Sequence, residues 1–74
     1  SGKKALDLQL KTLEEYLFTA LRFNMKSVFI IHGIGTGTLK KSISRKLRRH
    51  PAVRDFRNDH HPRYGFGATE IFFK

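Results

Sequence analysis

Residues 5–10, ALDLQL, alternate apolar and polar positions. A two-residue period is the signature of a half-buried strand, with Leu6, Leu8 and Leu10 inward and Asp7 and Gln9 outward. The period then lengthens. Leu13, Tyr16, Leu17, Ala20 and Leu21 follow the i, i+3, i+4, i+7, i+8 spacing of a core-facing helix, and Glu14, Glu15, Thr19 and Arg22 face away. Thr12 with Glu15 predicts a capping box at its start, and Asn24 a cap at its end. Residues 27–32 are short, apolar and β-branched, which predicts a buried central strand. From about Thr38 to Arg49, Leu39, Ile43 and Leu47 form one stripe of a second helix. Lys41, Arg45, Arg48 and Arg49 lie opposite it. His50-Pro51 ends that helix, because the residue before proline avoids helical geometry. Residues 52–57 predict a third strand, 58–67 a loop, and Ala68 to Phe73 a last strand.

The predicted order is therefore β-α-β-α-β-β in one domain. Strands alternating with helices favour a mixed sheet, parallel where helices cross over. One apolar stripe per helix places both helices on the same face. The expected class is α/β (α+β): a two-layer sandwich with a four-stranded mixed sheet.

Composition narrows the setting. A chain of 74 residues has a thin core, and without cysteine no disulfide or thiolate-metal staple supports it. Its apolar runs are too short to span a bilayer, and no signal peptide is evident. A cytoplasmic location is expected. Residues 1–4 read as a tag remnant or flexible N-terminus, and 5–74 as the domain.

Charge adds a partner. Fifteen Lys and Arg against six Asp and Glu give +9. No acidic residue lies between Glu15 and Asp55, while Arg22, Lys26, Lys40, Lys41, Arg45, Lys46, Arg48, Arg49 and Arg54 do. A block of one sign attracts polyanions, nucleic acid foremost. A solubilising surface is the alternative. The basic face of the second helix suits a phosphate backbone, which positions a protein without reading sequence.

Between the apolar strand and the basic helix stands His32 with HGIGTG. A glycine-rich turn leading into a helix N-terminus is an anion seat, since the first helical amides lack partners and carry the positive dipole end. Gly33, Gly35 and Gly37 allow close approach, and Thr36 and Thr38 add hydroxyls. The pattern is neither a P-loop nor a dinucleotide fingerprint. A tight turn needing glycine for geometry alone is the competing reading. His60 and His61, with His50 and Tyr64, lack the carboxylate or cysteine of a familiar metal spacing, so no metal is expected. Arg63 and Tyr64 are candidates to touch a nucleotide, or simply to close a turn. Phe18 falls off the apolar stripe and is expected to be exposed.

LDLQ near the start, IIHGIGTG with the following Leu39-Lys40, the basic helix ending in RRHP, and GFGATEI near the end together resemble the Smr (small MutS-related) domain family. The resemblance covers about residues 5–74. It implies a β-α-β-α-β-β sandwich similar to the C-terminal domain of bacterial translation initiation factor three. It also implies nicking of DNA or cleavage of RNA, within a larger chain that acts on nucleic acid or on ribosomes. By the family motifs, Asp7 and His32 are the catalytic candidates. Gly33, Gly35, Thr36 and Gly37 match the anion-binding turn, and Gly67 and Thr69 the closing motif. Gln9 stands where the family usually has histidine.

The chemistry follows from these types. His32 can move a proton near neutral pH, Asp7 can orient a histidine, and the turn amides with Lys40 can stabilise phosphoryl oxygens. Gln9 can hold a phosphate oxygen but cannot shuttle a proton. The expected function is a nucleic-acid endonuclease module, monomeric and cofactor-free, attenuated by Gln9. Its nucleic-acid contacts are expected from Gln9, Gly33, Gly35, Thr36, Gly37, Lys40, Lys41, Arg45, Arg48, Arg49 and Arg63. The alternative is a non-catalytic module that binds nucleic acid or the ribosome for a larger MutS-like protein.

Overall fold

The computed structural model describes residues 2–32, 37–58, 61–63, 65 and 67–74. Its elements are α1 (Gly2–Arg22), β1 (Ser27–Ile31), α2 (Thr38–Arg49), β2 (Val53–Arg57) and β3 (Ala68–Phe73). The class is α+β: two helices over a three-stranded antiparallel sheet of order β1-β3-β2.

The expected first strand is absent, because residues 5–10 lie inside α1. Leu6, Leu8 and Leu10 satisfy a strand, but Leu6, Leu10, Leu13, Leu17 and Ala20 also make one continuous helical stripe. No glycine or proline interrupts residues 3–22, so the helix propagates backwards from its packed half. Leu8, on the far side of that stripe, is left 65% exposed. Thr12 is therefore mid-helix and caps nothing. Its hydroxyl donates to the Leu8 carbonyl at 3.0 Å.

Losing that strand also removes the parallel crossover and changes the neighbours in the sheet. The four-stranded mixed sheet is replaced by three antiparallel strands. Residues 27–32 do not form the central strand. β1 is an edge strand ending at Ile31, and β3 is the centre, pairing Val28 with Ile71 on one side and Phe56 with Ile71 on the other. On the outer face of β1, Phe29 and Ile31 remain exposed.

Both helices cover one sheet face. Leu13, Leu17 and Ala20 of α1 and Ile43 and Leu47 of α2 form a single core with Val28, Val53, Ile71 and Phe73. The element ends follow their local chemistry. Asn24 takes φ 55°, and the Asn24 and Met25 amides donate to the carbonyls of Leu21 and Ala20. This is the left-handed closure that asparagine tolerates. α2 stops at His50, extended at φ −80° and ψ 122° before Pro51. Lys46 Nζ lies 2.6 Å from Glu14 Oε1 and ties α2 to α1. No helix among the described residues is long and apolar enough to cross a membrane.

Candidate functional site

His32 sits one residue past β1, where its amide continues the ladder by donating to the Gly67 carbonyl at 2.9 Å. Two residues into β3's pairing, Thr69 lies opposite Ile30 on the core face of the sheet. The His32 ring shares that face, and its Nε2 is 2.8 Å from Thr69 Oγ1. Thr69 is fully buried. Its hydroxyl donates to Asn58 Oδ1, and Asn58 Nδ2 donates to Ser44 Oγ of α2 at 3.4 Å. A polar chain thus runs from His32 into the core through four separate parts of the sequence. The sequence motifs pointed to His32, Gly67 and Thr69. Asn58 and Ser44 carry no local signal, since only folding brings them beneath Thr69.

Gly37 is the N-cap of α2, at φ 88°, with its carbonyl accepting from the Lys41 amide at 3.0 Å. A Cβ there would meet nothing within 4 Å, so glycine is demanded by the backbone angle and not by space. It offers no side-chain cap to the first turn, which also contains no acidic residue. Gly33, Gly35 and Thr36 lie outside the described residues, as do His60 and Tyr64. Lys40, in the first turn, is half-buried.

Gln9 and His32 line one groove of about 480 Å³ between α1 and the β1 edge, with Thr12, Leu13, Tyr16 and Phe29. Asp7 does not line it. Asp7 and Gln9 project from opposite flanks of α1: Gln9 shares a side with Tyr16, and Asp7 shares one with Glu14. The expected approach of Asp7 to His32 relied on two adjacent parallel strands. With residue 7 in a helix, that route is gone.

Beyond Lys40, the cations of α2 divide into three groups. Lys41, Arg45 and Arg49 stand exposed on its outward face, and Arg45 and Arg49 also border the groove between α1 and α2. Arg48 turns toward β2, its guanidinium 5.9 Å from the centre of the Phe56 ring. Lys46 is held by Glu14, whose carboxyl it keeps below the usual glutamate range by hydrogen bond and charge. On the other sheet face, Arg54 and Arg57 each lie 5.5 Å from the Phe72 ring. Arg63 is exposed in the turn closed by His61 and Gly65, where its amide donates to His61 Nδ1. Phe18 is exposed, as its position off the stripe required. Among the described residues, no three His, Asp or Glu gather as a metal site.

The family model described as "Smr domain" aligns with residues 4–74. The chain belongs to the Smr domain family. This Smr domain is 43% identical over 60 residues to the endonuclease MutS2 of Staphylococcus epidermidis, covering 81% of the chain and 8% of that protein. It is 44% identical over 62 residues to the endonuclease MutS2 of Staphylococcus aureus, covering 84% of the chain and 9% of that protein. The chain thus spans less than a tenth of these relatives. The crystal structure of the Smr domain of Thermus thermophilus MutS2 superposes with a TM-score of 0.87 at 26% identity, over 93% of this chain and 86% of that one.

Proposed function

We propose that this Smr domain is a nucleic-acid endonuclease module whose cleavage is attenuated and whose binding is directed at the phosphate backbone. The observation that carries the reading is the placement of His32. Its ring is anchored from the core by Thr69, and it opens on a groove that also holds Gln9. In this reading a phosphate lies at the start of α2, where the amides of the first turn and Lys40 stabilise the charge that grows on the phosphoryl oxygens. His32 takes the proton of the attacking water or ribose 2′-hydroxyl, the bond from phosphorus to the leaving oxygen breaks as the new one forms, and the leaving oxygen takes its proton from solvent. Gln9 holds a phosphate oxygen without moving a proton. Lys41, Arg45 and Arg49 steer the flanking backbone. No group in the arrangement reads base edges, so DNA and RNA are both admitted. The endonuclease name of the staphylococcal relatives supports the reading.

A second reading, a binding module without chemistry, is favoured by the position of Asp7 on the flank of α1 away from the groove. Nicking of supercoiled plasmid and cleavage of labelled RNA separate the two. Slow product formation is expected from the chain and none from His32→Ala. Gln9→His, which restores a second proton carrier, is expected to raise the rate by about 100- to 10,000-fold. If no variant yields product while all retain affinity, the binding module is correct.

A further inference from the structure

We propose that Asn58, acting through Thr69, fixes the neutral His32 ring as the Nε2–H tautomer. Nδ1 is then the pyridine-type nitrogen of the neutral ring. The argument is a count of hydrogens. A threonine hydroxyl has one proton to give, and an amide oxygen can only accept. Thr69 gives its proton to Asn58 Oδ1, whose amide nitrogen is turned the other way, toward Ser44. Toward His32, Thr69 Oγ1 is therefore an acceptor, and Nε2 at 2.8 Å must be the donor. Ser44 accepts from Asn58 and keeps its own proton, which a serine within a helix can turn back to a carbonyl of the preceding turn.

Burial makes the order hold. Thr69, the link between Asn58 and His32, is 0% exposed and Ser44 8%, while Asn58 and His32 are half-buried, so little water reaches Thr69 to exchange for a partner. A buried polar network is favourable only when each member is matched, and reversing one link would reverse them all. The fold brings the members together from three sides, Thr69 from β3, Asn58 from the residue after β2 and Ser44 from α2, and the orientation of the Asn58 amide gives the chain its direction. The Nε2–H bond to Thr69 is the same in the neutral ring and in imidazolium. The ring thus keeps this bond, and its orientation, in both protonation states. The catalytic meaning of this rests on the proposed endonuclease reading. The tautomer itself does not, and Asn58 is a positioning residue and not a catalytic one.

The test uses the 74-residue chain with 15N-labelled histidine and long-range 1H–15N correlation above the histidine titration, His32 being assigned through His32→Gln. The expected spectrum has a pyrrole-type Nε2 and a pyridine-type Nδ1. Asn58→Asp keeps an acceptor for Thr69 and is expected to preserve that pattern. Asn58→Leu frees the Thr69 proton to point at Nε2, and the Nδ1–H fraction is expected to rise several-fold. A wild-type His32 protonated mainly at Nδ1 overturns the proposal, as does an Asn58→Leu variant, folded by its amide spectrum, with an unchanged tautomer ratio. Should Asn58→Leu not fold, the wild-type and Asn58→Asp spectra decide. Because the readout is spectroscopic, an inactive chain with the expected tautomer fails only the endonuclease reading. An active chain with the opposite tautomer fails only this one.

Discussion

A single backbone angle favours glycine at position 37. At φ 88° with open space around a would-be Cβ, a side chain there meets no neighbour, only its own backbone. Gly37→Ala is expected to destabilise the domain by roughly 1–2 kcal/mol, the usual cost of a left-handed residue, as read from the urea midpoint. Asn24, at φ 55°, shows the same constraint met by another residue type. Asn24→Gly is expected to be neutral or slightly stabilising in the same assay, and Asn24→Ala to cost about 1 kcal/mol. These positions were legible in the sequence because glycine and asparagine are the residues that such turns select. His32 and Thr69 were legible through motifs. Asn58 was not, because an asparagine after a strand is ordinary loop chemistry until Thr69 is known to lie beside it.

At the scale of elements, α2 was read with its bounds, since a stripe of Leu39, Ile43 and Leu47 admits one period and His50-Pro51 a single stopping point. The ALDLQL stretch admits two periods, and packing chose between them. The choice has a direct test. In a strand Leu6, Leu8 and Leu10 would share one face, whereas in α1 Leu8 is exposed and Leu17 fully buried. Leu8→Ala is therefore expected to change stability by no more than about 0.5 kcal/mol, and Leu17→Ala to cost about 2–5 kcal/mol. The outward face of α2 makes its own prediction. If Lys41, Arg45 and Arg49 each meet a phosphate, log K against log salt falls with a slope of about −2.7 on duplex DNA from these three alone. Replacing any one by alanine is expected to flatten the measured slope by about 1, with little change in sequence preference. Arg48, drawn over Phe56, is expected to contribute less to that slope and more to stability.

The whole molecule is held by one core and trimmed by surface charge. Lys46 lowers the Glu14 carboxyl in the folded state, so the pair stabilises the domain above the ordinary glutamate pKa. That contribution fades as pH falls through the depressed value. Wild type is expected to exceed Glu14→Gln in stability at neutral pH. The gap should close in acid, and also in high salt, since the pair is exposed to solvent. Denaturant midpoints across pH and salt measure it. By itself the sequence determined the packed half of α1 after Thr12, the whole of α2 and the last two strands. Each of these is written in local period, local turn chemistry or motif. The tertiary structure decided that residues 5–10 are helical, that β3 and not β1 is central, that Asp7 stands apart from Gln9 and His32, and that Asn58 lies under Thr69. Those outcomes depend on which of two permitted faces finds a partner to bury against. That is a property of the folded surface, to which residues distant along the chain contribute equally.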